Sequence, residues 1–386
     1  MEPRGKLEKF LIPETIFGVG SLAEVGDAVR RAGGSRALVV TDPGVLAAGW
    51  VDRAGPHLKA AGLSWRIWSD VTPNPKDHEI EAGFAAYRES GCDVLVAIGG
   101  GSPIDAAKAI AVLSGNAGHI LDYEGIDTVG KPIPPMVMVP STGGSGADVS
   151  QFCVVTDTRR RLKATIASRA LVPDISVTDP RLLTTMSPEL SAHTALDALS
   201  HGIEAYVSKA ASFLSDGHAL AAIRGVLEHL LATLDDPADL RAREGVARAS
   251  LQAGIAFTNA LLGATHAIAH QIGGYLDVPH GLLNAILLPH VMRFNAATDP
   301  ERFVGVADAL GVETARLAPA EAAEAAIASV QRLREKVGIP AGLAQVGVRR
   351  EHLGRFAENA LHDAYLTTNP RAVSKEDVEQ LCLAAL

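Results

Sequence analysis

The stretch DVLVAIGGGSPID, residues 93–105, decides how the rest of the chain is read. From Val94 to Ile98 nothing is polar, the pattern of a strand buried on both faces beneath covering helices. Gly99, Gly100 and Gly101 then turn the chain. Ser102 reads as a helix N-cap, Pro103 as the first helical residue and Asp105 as the acid of a capping box. A helix that opens there aims free N–H groups and its positive dipole end at whatever lies above the strand, which favours a pyrophosphate. The motif is not GxGxxG, because Ile104 stands at the third glycine's place, and a tight turn without ligand is the plainer alternative.

Outward from this stretch the same alternation continues. Arg36–Thr41, Ser64–Trp68 and Met136–Val139 read as further strands, and Lys76–Ser90 has helical spacing. Strands separated by helices predict a doubly wound parallel sheet. A second small-residue loop, Pro140–Gly146, follows the Met136 strand and offers Ser141, Thr142 and Ser145. Two such loops at strand carboxyl ends are where open sheets bind nucleotides. Asp42 closes the Arg36 strand; it is either a ribose-binding carboxylate or a turn residue before Pro43-Gly44.

Beyond about Ser187 the pattern turns helical, with spans predicted at Ser187–Ser208, Ser212–Thr233, Leu240–His270 and Pro319–Lys336. The expected division is an α/β domain over residues 1–181 and an all-helical domain over 182–386. On the first of these helices Asp197 and His201 are i, i+4 and share a face, with His193 and Glu204 near the same side. Further on, His266 and His270 are again i, i+4, and a loop brings His280. A lone imidazole on an apolar helix is usually a satisfied core residue; this concentration points to a metal. One carboxylate with three imidazoles suits Fe²⁺ or Zn²⁺ rather than Mg²⁺ or Ca²⁺. Spacing does not choose between His266 and His270.

The 386 residues are 47% hydrophobic with a net charge of −9, which excludes disorder as the main character and disfavours nucleic acid and anionic membrane as partners. Cys92, Cys153 and Cys382 make neither a disulfide framework nor a CxxC pair, and MEPRGKLEKFLIPETIFGVG lacks a signal peptide's apolar stretch. A cytoplasmic protein is expected.

Taken together, Val96–Ala109 (VAIGGGSPIDAAKA), Val139–Phe152 (VPSTGGSGADVSQF), Ala195–Ser208 (ALDALSHGIEAYVS), His266–Gly281 (HAIAHQIGGYLDVPHG) and Thr367–Arg371 (TTNPR) resemble the iron-containing (group III) alcohol dehydrogenases. The resemblance implies that family's architecture, shared with dehydroquinate synthase-like proteins: an α/β nucleotide-binding domain with a parallel sheet, an all-α domain, and an active site between them. It implies Asp197, His201, His266 and His280 as ligands of Fe²⁺ or Zn²⁺, with His270 close to the metal but outside its ligands and His193 at a place usually held by a small residue. Toward NAD it implies Gly99, Gly100, Gly101, Ser102 and Asp105 on the pyrophosphate side, Ser141, Thr142 and Ser145 at the nicotinamide half, Lys163 at a ribose, and Asp42 and Asn74 as further cofactor positions. Tyr365 replaces what is often a Cys beside the substrate.

The reaction so implied is reversible hydride transfer between NAD and a small uncharged alcohol or diol, by a homo-oligomer of two or more chains. With no Lys or Arg in the metal-binding segments and with Phe152, Phe257 and Tyr365 near, a pocket without cations is expected. The rivals are a glycerol dehydrogenase-like or hydroxy-acid dehydrogenase, a metal-free reductase of the same superfamily, and a nucleotide- and metal-binding protein without turnover.

Overall fold

A computed structural model describes residues 9–386; Met1–Glu8, the start of the segment read as lacking a signal peptide, lie outside it. The described strands are β1 (Glu14–Phe17), β2 (Arg36–Val40), β3 (Ser64–Trp68), β4 (Val94–Gly99), β5 (Gly125–Ile126), β6 (Met136–Pro140), β7 (Phe152–Asp157), β8 (Leu162–Ala167) and β9 (Ile175–Thr178). Among them lie α1 (Val25–Arg31), α2 (Pro43–Ala47), α3 (Trp50–Ala60), α4 (Asp77–Ser90) and α5 (Gly101–Gly115). After β9 the chain is helical: α6 (Pro188–Val207), α7 (Phe213–Asp235), α8 (Leu240–Ala260), α9 (Ala264–Leu276), α10 (His280–Ala296), α11 (Pro300–Ala309), α12 (Pro319–Lys336), α13 (Leu353–Ala360) and α14 (Lys375–Ala384).

Six strands form one parallel sheet in the order β1-β9-β6-β4-β2-β3. In β4 the unbroken apolar run serves two cores. Val94, Val96 and Ile98 join the side that continues into the helical half, and Leu95 and Ala97 face α4 and α5. Each Val, Leu or Ile among them contributes about 1.5–3 kcal/mol on burial. The four strands expected from sequence are present. Strands β1 and β9 and the small sheet β5-β8-β7 were not expected; β1 and β9 are only four residues long, and β7 and β8 are separated by no turn signal stronger than the Arg159–Arg161 run.

Two local expectations are corrected. Helix α5 begins at Gly101 with Gly100 as its N-cap, so Asp105 lies a turn too deep to cap it. The Pro103 ring lies over Gly99, where an added Cβ would come within 2.5 Å of it, and this close approach lets the helix start two residues early. The single helix expected over Leu240–His270 is two. Leu261 turns left-handed (φ 59°), and the chain restarts at Gly263 as α9. The new N-terminus is paid for by side chains: Glu204 accepts from Gly263 N (3.2 Å) and Thr265 N (2.7 Å), and Asn369 from Ala264 N (3.0 Å). Continuous apolar sequence hides this break. Among the described residues no helix is long and apolar enough to cross a membrane.

Candidate active site

The carboxyl ends of β2, β4 and β6 face helices α6, α9 and α10 across a cavity of about 810 Å³. At one end the wall is backbone. Cβ atoms added at Gly100 or Gly101 would stand 3.0 Å from Thr142 Cγ2 and 3.1 Å from Ser145 Cβ, so the two loops approach as closely as they do because neither glycine has a side chain. Gly100, Gly101, Ser102, Ser141, Thr142 and Ser145 all border the cavity; Gly99 does not, lying beneath Pro103. Asp42 borders it too while serving as the N-cap of α2, accepting from Val45 N (3.0 Å), so both roles weighed for it are compatible.

Asn74 has its own backbone constraint (φ 56°) and spends its amide across the cleft, donating to Asp277 Oδ1 (2.7 Å). Asp105 is half-buried within α5 near Lys108 rather than at a helix end, and desolvation pushes its carboxyl up from the ordinary range. The cavity is not free of cations: Lys163, on β8, reaches it and is brought down to about 8 by burial, against Asp197, Asp105 and Asp277, which favour its charge.

The other end is built from side chains. Asp197 and His201 project from α6 as their spacing requires, and donors of Asp197, His201 and His266 all lie within 4.8 Å of one another. His280, the first residue of α10 rather than a loop residue, places Nε2 3.9 Å from Asp197 Oδ1; His266 Nε2 is at 3.7 Å. Tetrahedral donors about 2.1 Å from an ion stand about 3.4 Å apart, so Asp197, His201 and His266 suit one cation, while His280 approaches Asp197 but stands outside their mutual 4.8 Å group. The tautomers suit it as well. His266 Nδ1 donates to Glu204 (2.5 Å) and His201 Nδ1 to the Gly144 carbonyl (3.2 Å), which leaves each Nε2 lone pair for a metal.

Charge gives the same answer. Burial opposes ionisation of Asp197, yet His201, His280 and His266 outweigh it and hold the carboxyl well below its usual range. His266, despite burial, is pushed up to about 9 by Asp197 and Glu204, while His201 is brought down to about 4, chiefly by burial. Two buried carboxylates thus demand positive charge at this point. Asn284 Nδ2 lies against the same donors, 2.7 Å from Asp197 Oδ1, 2.9 Å from His266 Nε2 and 3.1 Å from His280 Nε2, while Asn284 Oδ1 and His280 Nδ1 are buried without partners among the described residues. The donor set fits a divalent ion.

His270 is separated from this set by its partner. Its Nδ1 donates to Asp363 Oδ2 (2.9 Å), which spacing on α9 could not reveal. Beyond the imidazoles, Phe257 stacks on His201 (4.5 Å), and Phe152 meets Tyr365 edge-on (5.3 Å). Sequence reasoning placed Glu204 near the site without a role and missed Asn284 and Asp363; only Glu204 carried a signal, an acid on a buried helix face.

Residues 13–180 match the model of the iron-containing alcohol dehydrogenases and residues 191–386 that of the C-terminal part of the Fe-containing alcohol dehydrogenase family. The chain is 40% identical to a 1,3-propanediol dehydrogenase of Citrobacter freundii over 96% of this chain and 97% of that one. It is 37% identical to an NAD-dependent methanol dehydrogenase of Bacillus methanolicus, over 98% and 99%. Its fold superposes on the crystal structure of a 1,3-propanediol oxidoreductase with a TM-score of 0.95 at 39% identity, covering 99% and 100% of the two chains. With this architecture, this donor set and matches along almost its whole length, the chain belongs to the iron-containing alcohol dehydrogenase family.

Proposed function

We propose that the protein is an NAD-linked, metal-dependent dehydrogenase that interconverts a small uncharged primary or secondary alcohol, or a diol, with its carbonyl product. The observation that carries this reading is a single cavity with a glycine wall at one end and the clustered donors of Asp197, His201 and His266 at the other. Relatives named for propanediol, methanol and lactaldehyde support a small neutral substrate.

When bound, an Fe²⁺ or Zn²⁺ ion held by Asp197, His201, His266 and His280 would supply Lewis acidity toward an alcohol or carbonyl oxygen, and NAD⁺ would supply the hydride acceptor. The rest falls to the chain. Gly100, Gly101 and Ser102 offer the pyrophosphate the start of α5. Asp42 opposes a 2′-phosphate by charge, which favours NAD over NADP. Phe152, Phe257 and Tyr365 take the alkyl part of the substrate and exclude water. Asp363 fixes His270 with its proton on Nδ1, so Nε2 keeps a lone pair for the proton the alcohol loses.

Lys163 is the one Lys or Arg on the cavity wall among the described residues, and Asp197, Asp105 and Asp277 already face it. That leaves a substrate carboxylate no free Lys or Arg on the cavity wall to pair with, which weighs against the hydroxy-acid reading. We further propose that residues 1–181 form the cofactor domain and 182–386 the metal domain of a cytoplasmic homodimer; among the described residues β1 is the edge strand of its sheet, a position a second copy could extend. Steady-state assays with NAD⁺ and NADP⁺ over C2–C8 alcohols, short diols and a hydroxy acid test the function. Best turnover of a neutral alcohol or diol with NAD⁺ is expected; best turnover of the hydroxy acid would overturn the substrate assignment.

A further inference from the structure

Helix α6 lines the cavity along one stripe, Leu190, His193, Asp197 and His201, with Thr194 beside it. Most of these have an evident occupation. Leu190 is apolar, Thr194 Oγ1 donates to the Leu190 carbonyl (2.9 Å), and Asp197 and His201 belong to the donor cluster. His193 has none. It is 8% exposed and borders the cavity, and its ring has no hydrogen-bond partner among the described residues. Its ring nitrogens open on the cavity rather than being sealed in protein, so a polar group bound there can complete them.

Its place along the stripe says what that is. Toward the helix start, Thr185 takes a hydrogen bond from Trp50 Nε1 (2.9 Å), and Trp50 borders the cavity together with Asp42. Toward the helix end, His201 stacks on Phe257 in the aromatic cluster. The cavity therefore runs from the Asp42 end, past His193, to the donor cluster and then the aromatic pocket. His193 stands four residues, about 6 Å along the axis, from Asp197 on the side away from the aromatics. It lies toward the Asp42 end of the cavity rather than the aromatic end.

We propose that His193 binds the nicotinamide half of the dinucleotide from the helical wall, through a ribose hydroxyl or the carboxamide. This rests on the NAD reading above. Burial holds the His193 ring below the ordinary imidazole range. Neutral, it offers one N–H and one lone pair, which match a hydroxyl or an amide better than a phosphate. The contact is made by this chain's own residue, since the resemblance puts a small side chain at this place.

Binding of NADH, followed by its fluorescence, and of AMP by competition tests the assignment on the metal-loaded protein. His193→Ala should weaken NADH about 3- to 10-fold, leave AMP and metal content unchanged, and be partly rescued by His193→Gln. Unchanged NADH affinity in both variants, or equal losses for NADH and AMP, would overturn the role of His193 while the NAD reading stands. Failure of the unsubstituted protein to bind NADH would overturn both.

Discussion

The two ends of the cavity are made in opposite ways. At the sheet end the ligand surface is backbone: Gly100 and Gly101 matter for the side chains they lack, and a Cβ on either would press on Thr142 or Ser145. At the helical end it is side chain: Asp197, His201, His266 and His280 come from three helices, and Glu204 and the Gly144 carbonyl fix two of the imidazoles. The first kind of site is contiguous in sequence and tolerant of chemistry but not of volume. The second is scattered in sequence and tolerant of neither.

Substitutions should therefore separate the ends. The largest effect is expected from His266→Ala, which removes a donor and leaves Asp197 and Glu204 buried without it; metal content and kcat/KM should fall together, the latter by more than about 100-fold. Glu204→Gln keeps all four donors but loses the negative charge and one of the two acceptor oxygens, so either His266 Nδ1 or the cap on α9 loses its partner. Metal affinity should drop by about 10- to 100-fold, measured by competition with a chelating dye. At the sheet end, Gly100→Ala forces Thr142 to give way at a cost of about 1–3 kcal/mol, so the KM for NAD⁺ should rise about tenfold while metal content holds. If Gly100→Ala depletes the metal, the two ends are not separate devices. The smallest effect is expected from Tyr365→Cys in the aromatic pocket. It should improve kcat/KM for longer or branched alcohols relative to ethanol by no more than about 1–3 kcal/mol, read from a C2–C8 series.

This contrast also explains what could be read from sequence. The β4–α5 junction is one contiguous segment, so its strand, turn and helix were legible, although the helix start was misplaced because Pro103 could be read as a first helical residue. The Asp197–His201 pair was legible because four residues on one helix must share a face. Choosing His266 over His270 was not, since the choice depends on Glu204 and Asp363, partners 62 and 93 residues away. The break between α8 and α9 was hidden for the same reason: the groups that stabilise it, Glu204 and Asn369, are distant in the chain. Lys163 on the cavity wall likewise depends on β8, a strand the pattern did not reveal.

The account rests most heavily on the donor cluster being a working metal site. Turnover of a short diol with NAD⁺ should be measured on protein stripped by chelation and then titrated anaerobically with Fe²⁺ or Zn²⁺. The account predicts that activity is lost on stripping and returns with about one ion per chain, and that His266→Ala protein does not recover. Full turnover by the stripped protein would contradict it.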